Sequence, residues 1–116
     1  MSRWIDIGVV DDFADASMKV VTVDGREVLV ARVGEGLYAA DERCPHMGGH
    51  LSRGTLEGTV VRCPRHGSHF DLANGAVVQW TEWSGAAVKL AKLIKPPRSL
   101  QTYPIEVKEG RVSVEV

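Results

Sequence analysis

Cys44-Pro45-His46 and Cys63-Pro64-Arg65-His66 are the residues of this chain best suited to chemistry. Each short segment offers one thiol and one imidazole, and both cysteines of the 116-residue sequence are used. Thiolate and imidazole are ligands of zinc, copper and iron–sulfur centres. Three readings compete. Two unrelated Cys-x-His coincidences are the plainest, but two in tandem, each on a Cys-Pro turn with Gly48, Gly49 or Gly67 following, are improbable by chance. A Cys44–Cys63 disulfide would leave both histidines unexplained, and a reducing compartment would not keep it. A metal site uses all four residues, as Cys₂His₂ zinc or as a [2Fe–2S] centre. Zinc fingers pair cysteine with cysteine and histidine with histidine in their local motifs. Here each segment carries one of each, which lets a binuclear centre take both thiolates on one iron and both imidazoles on the other.

The elements that must position these segments read as short strands. Trp4–Ile7, Val20–Val23, Glu27–Val33, Leu37–Ala40, Thr59–Arg62, His69–Leu72, Ile105–Val107 and Val112–Val116 are β-branched or alternating runs. Asp24-Gly25, Asn74-Gly75 and Glu109-Gly110 between such runs mark hairpins, since a type I′ turn needs positive φ at both central residues. Phe13–Ser17 reads as an acidic connection with a short helical turn. The whole predicts a mostly β chain, an antiparallel sandwich or small barrel. One segment differs. Ser84–Lys95 is rich in helix formers, starts at a capping serine and stops at Pro96-Pro97, which predicts a short amphipathic helix with Lys89, Lys92 and Lys95 on one face.

Composition bounds the function further. A chain of this length forms one domain, residues 1–116, and buries roughly two-thirds of its unfolded surface. Fourteen basic and 15 acidic residues nearly cancel, leaving none of the basic excess a nucleic-acid binder needs. No apolar run approaches the ~20 residues of a membrane span, and the start carries no signal-like apolar stretch. A cytoplasmic location is expected. No glycine-rich dinucleotide fingerprint is present, so hydride chemistry with a nicotinamide is not expected.

The stretch Cys44-Pro45-His46-Met47-Gly48-Gly49-His50-Leu51, Gly54, Cys63-Pro64-Arg65-His66-Gly67-Ser68-His69-Phe70-Asp71-Leu72 and Asn74-Gly75 strongly resembles the Rieske [2Fe–2S] family. The likeness is greatest to soluble Rieske-type ferredoxins, electron carriers of multicomponent ring-hydroxylating oxygenases. The resemblance implies an antiparallel β-sandwich with a small cluster-binding subdomain built from loops at about 44–50 and 63–70. It implies that Cys44 and Cys63 hold an inner iron and that His46 and His66 hold an outer iron near solvent. It also implies two partners, a flavin-containing or other ferredoxin reductase and a terminal oxygenase. Two thiolates and two neutral imidazoles leave an oxidised cluster far less negative than four thiolates would, which raises its potential. Imidazole ligation also predicts a potential that falls as pH rises through the oxidised-state histidine ionisations.

Departures from the family refine the expectation. High-potential relatives place a hydroxyl-bearing serine after His-Gly and a tyrosine two residues on. This chain has Ser68 and Phe70 at those positions. Gly49 and Arg65 stand where those relatives carry an extra disulfide. A potential in the lower or middle part of the range, roughly −150 to +300 mV, follows. Pro64 and Gly67 set the shape of the second loop, as Pro45 does in the first. His50 and His69 are expected as non-ligand residues on an exposed rim, and Arg65 as a solvated charge. The segment 79–95, with Trp80 and Trp83, reads as an insertion that covers a sheet edge or, as the alternative, offers its lysine face to an acidic redox partner or an oligomer contact. Two other functions remain open: the small subunit of a larger redox enzyme such as nitrite reductase, and a zinc-stabilised interaction module.

Overall fold

The computed structural model describes residues 3–45, 49–64, 67–79 and 99–116. The ligand candidates His46 and His66, the loop residue Arg65 and the expected helix at 84–95 lie outside the described residues, as do Trp80 and Trp83. Among the described residues the strands run in order: β1 (Trp4–Val9), β2 (Ser17–Val23), β3 (Arg26–Val33), β4 (Gly36–Asp41), β5 (Thr55–Glu57), β6 (Val60–Arg62), β7 (His69–Asp71), β8 (Val77–Gln79), β9 (Thr102–Tyr103), β10 (Ile105–Lys108) and β11 (Arg111–Glu115). The described residues are mostly β, all pairings are antiparallel, and helix is confined to two single 3-10 turns, Val10–Asp12 and Leu51–Arg53.

Three sheets form, ordered β1-β11-β10, β2-β3-β4-β9 and β5-β6-β7-β8. The second is the middle layer, and β3 shows why. Val28, Leu29, Val30 and Ala31 are consecutive and all buried, which a sheet with one wet face would forbid. Period-two alternation sends Val28 and Val30 to one core with Val23, Ala39, Val112 and Val114. Leu29 and Ala31 go to the other, with Ala40, Leu51, Val61, Phe70, Leu72 and both cysteines. Each fully buried Val or Leu contributes about 1.5–3 kcal/mol by leaving water. The sandwich expected from the sequence is thus the first two sheets, and the third sheet is the small subdomain that carries the two cysteine loops.

All three expected hairpin turns join paired strands, but at Asn74-Gly75, between β7 and β8, only Gly75 has positive φ, at 77°. Asp24 and Gly25 have φ of 51° and 76°, and Glu109 and Gly110 have 51° and 78°. The acidic connection is different from its expectation. The helical turn lies at Val10–Asp12, ahead of Phe13–Ser17, because the Asp12 carboxylate accepts the Val9 N–H at 3.0 Å. Phe13 is instead a core side chain, 1% exposed.

Candidate metal centre

Both cysteines sit where a strand leaves the core. Cys44 follows β4 and Cys63 follows β6, and each is buried, at 3% and 1% exposure. The two loops close by the same bond. The Cys44 N–H donates to the Gly49 carbonyl at 2.8 Å, and the Cys63 N–H donates to the Ser68 carbonyl at 2.7 Å. The match continues outward. Arg43, preceding the first cysteine, pairs with His50, and Arg62, preceding the second, pairs with His69. Two arginine–cysteine steps therefore face two histidines across equivalent loop bases. In the second loop the Gly67 N–H also donates to the Cys63 carbonyl at 3.1 Å, with Gly67 at a φ of 74° that favours glycine.

Around the second loop, β6 and β7 bury Val61, Cys63, Ser68 and Phe70, the last two at 0% exposure. Pro64 is exposed at the loop tip. Phe70 fills the core at the position where high-potential relatives carry tyrosine. Around the first loop the support is a side chain. Glu42, buried at 2%, accepts the Ser52 N–H at 2.9 Å and the Ser52 hydroxyl at 2.6 Å, and faces His50 Nδ1 at 3.2 Å. The Leu51 N–H returns to the Glu42 carbonyl at 2.9 Å. Beside this base, an open groove of about 700 Å³ is lined by Arg26, Glu27, Asp41, Glu42, Arg43, Gln101 and Tyr103.

Gly54, which leads the chain from the first loop into β5, packs against Arg62, the last residue of β6. A Cβ on Gly54 would lie 1.8 Å from the Arg62 carbonyl oxygen, so only glycine lets the chain leaving the first loop touch the residue before Cys63. The expectation of an exposed rim for His50 and His69 is corrected: both are half-buried. His50 is turned in by Glu42, and His69 Nδ1 is buried with no hydrogen-bond partner among the described residues. Sequence reasoning missed Glu42, because an acid within Asp41-Glu42-Arg43 looks like a solvated charge. It quoted Gly54 without its role, since a regular φ of −84° leaves no turn signature.

Antiparallel sheets that carry two buried thiols on matched loops define a class of β-domain with a frame suited to a metal centre. The chain belongs to the Rieske [2Fe-2S] domain family, whose model matches residues 3–104. It is 31% identical over 114 residues to the ferredoxin component of the naphthalene 1,2-dioxygenase/salicylate 5-hydroxylase systems of Ralstonia sp, covering 98% of this chain and 96% of the relative. It is 28% identical over 116 residues to the anthranilate 1,2-dioxygenase ferredoxin subunit of Burkholderia cepacia, covering 100% of this chain and 94% of the relative. Among solved structures, it matches the ferredoxin of carbazole 1,9a-dioxygenase from Nocardioides aromaticivorans IC177 with a TM-score of 0.78 at 22% identity, over 96% of this chain and 95% of that one. A chain in the complex of reduced oxygenase and oxidized ferredoxin in carbazole 1,9a-dioxygenase matches with a TM-score of 0.76 at 29% identity, covering 96% and 91% of the respective chains.

The described residues fit the family's one Rieske-type [2Fe–2S] cluster. Both thiols are buried, neither is in a disulfide, and both border the same apolar core on loops closed alike. Buried thiolates in a dry setting are what iron–sulfur ligation requires. No group of three or more His, Cys, Asp or Glu that could hold a metal ion gathers among the described residues.

Proposed function

We propose that this chain, acting as one domain, is a one-electron carrier of the cytoplasm that passes electrons from a reductase to a terminal oxygenase. The reductase is a flavin-containing or other ferredoxin reductase. Cys44, His46, Cys63 and His66 are the cluster ligands, and Ser68, Phe70, Pro64 and Gly67 shape the surroundings of the second pair. The observation that carries the reading is the matched closure of two buried cysteines, Cys44 N–H to Gly49 and Cys63 N–H to Ser68, beside one apolar core. The end-to-end likeness to ferredoxin components of dioxygenase systems supports the choice of partners.

The cluster, when bound, supplies one reversible electron at a potential raised by imidazole ligation. The chain does the rest. The buried thiols keep the sulfur side of the centre out of water, and the loop-closing bonds hold both cysteines at fixed positions through a redox cycle. Leu51, Val61, Phe70 and Leu72 form a dry wall behind them. That apolar shell restricts solvent access and thereby tunes the potential. The chain does not itself carry out catalysis on an organic substrate; it delivers charge to an oxygenase that does.

Purified protein is expected to be red-brown, to contain iron and sulfide in equal amount, and to give, once reduced, an EPR signal whose average g lies below the free-electron value. Cys63→Ser is expected to abolish that signal and the bound iron. A colourless protein that binds zinc instead would reject the reading in favour of an interaction module. Co-purification with a large redox enzyme would point to a subunit role.

A further inference from the structure

Glu42 is a charged side chain with a structural burden and no part in ligation. Its carboxylate is 2% exposed, yet among the described residues no lysine or arginine pairs with it. Its compensation comes from Ser52, through both the N–H at 2.9 Å and the hydroxyl at 2.6 Å, and from His50 Nδ1 at 3.2 Å. A carboxylate only accepts, so all three groups donate or face it as donors. Burying such a group costs several kcal/mol unless its oxygens are satisfied, and these donors satisfy them.

The position of this charge matters. Glu42 stands two residues before Cys44, so at about 3.8 Å per Cα step their Cα atoms lie within about 7.6 Å of each other. That is within a Debye length of about 8 Å, and the carboxylate is buried, so salt in solution screens it little. Cys44 is buried on the same loop base, next to the bond that returns Leu51 N–H to the Glu42 carbonyl. Reduction adds negative charge to whatever centre Cys44 holds. A fixed anion nearby raises the energy of the reduced state more than that of the oxidised state.

We propose that Glu42 sets the reduction potential of the centre, its buried carboxylate lowering it, with Ser52 partly offsetting that charge. The inference rests on the carrier reading above. The three donors also pin the first loop, but a purely structural clamp would not give opposite shifts for its two partners. Glu42→Gln keeps an acceptor for the Ser52 N–H and removes the charge, so the potential should rise. Ser52→Ala removes a donor and leaves the charge less compensated, so the potential should fall.

The test is potentiometric titration of the wild type and both variants at one pH, at low and at high salt, with iron content measured alongside. The expected result is a higher potential for iron-loaded Glu42→Gln that persists at high salt. An unchanged or lower potential in iron-loaded Glu42→Gln overturns the inference. If Glu42→Gln fails to retain iron, Ser52→Ala decides: a fall supports the inference, and an unchanged or raised potential overturns it. A wild type without iron or the Rieske EPR signal would instead overturn the carrier reading itself, so the two failures are separable.

Discussion

The two cysteine loops close with the same backbone bond and are held by different means. The second loop grows out of a ladder. Arg62 pairs with His69, Val61 with Phe70 and Val60 with Asp71, and β8 extends the sheet beyond them. Among the described residues the first loop base shows the isolated Arg43–His50 bridge, made by the Cys44–Gly49 bond and the Leu51 N–H to the Glu42 carbonyl, before the chain enters a 3-10 turn. A side-chain network takes over where that ladder stops. Backbone ladders tolerate changes of side chain; a buried carboxylate does not, because removing one of its donors leaves charge unsatisfied. The pair teaches that equal geometry at two cysteines rests on unequal chemistry behind them. The second loop is stiff by construction, and the first is tunable by single substitutions.

The sharpest way to break the comparison is to crowd the contact between the chain leaving the first loop and the residue that leads into the second. Gly54→Ala places a methyl 1.8 Å from the Arg62 carbonyl oxygen, a backbone atom that cannot swing away. Overpacking of this kind costs about 1–3 kcal/mol, and a backbone clash belongs at the upper end. Gly58→Ala is the control. Its φ of 60° is unfavourable for alanine, but nothing lies within 4 Å of the added methyl. That strain alone costs roughly 1–2 kcal/mol. Chemical denaturation should therefore show Gly54→Ala as the more damaging, with weaker iron retention than Gly58→Ala. Equal losses for the two would mean that this contact does not hold the centre together.

Much of this was legible because hairpin turns and chemistry both leave local marks. Asp24-Gly25 and Glu109-Gly110 announce positive φ, and the structure has it at all four residues. The cysteine loops are equally visible, since few segments pair a thiol, a proline and an imidazole. What stayed hidden depends on neighbours distant in sequence. β5 and β9 are three and two residues long, too short for alternation to register, and they exist because β6 and β4 offer an edge to pair with. The burial of Glu42 is set by Ser52 and His50, across the loop from it, and no local pattern in Asp41-Glu42-Arg43 reports that. The expectation of a rim position for His50 failed for the same reason.

A smaller effect separates the loops by their hydroxyl groups. Ser68, fully buried beside Cys63, stands where relatives of high potential use a serine hydroxyl. Ser68→Ala is expected to lower the reduction potential modestly, with iron content and melting temperature close to those of the wild type. Combining it with Ser52→Ala asks whether the two loops act separately. Shifts that simply add would place the two hydroxyls in independent networks, as the separate supports of the loops require. No shift from Ser68→Ala alone would show that its hydroxyl does not act on the centre.

The smallest expected effect concerns the strand that feeds the first loop. β4 ends at Asp41, whose carboxylate accepts the Tyr103 hydroxyl from β9, while Arg26 Nη1 donates to that hydroxyl at 3.1 Å and the Arg26 Cζ lies 5.8 Å from the ring centre. Burial first, and then the hydrogen bond to Asp41, push the Tyr103 phenol above its usual value of 10.0. The unfolded chain therefore loses this proton before the folded protein does. The stability contributed by the neutral phenol is complete below pH 10.0 and is lost as pH climbs from there through the raised folded value. Denaturation of the wild type should weaken across that alkaline window, and Tyr103→Phe should flatten this part of the profile while costing a little stability at neutral pH. The second loop has no such brace among the described residues, so the alkaline loss should appear first in amide exchange at Asp41 to Cys44 and later at Cys63. Simultaneous loss at both would show that the two loops open as one unit despite their different supports.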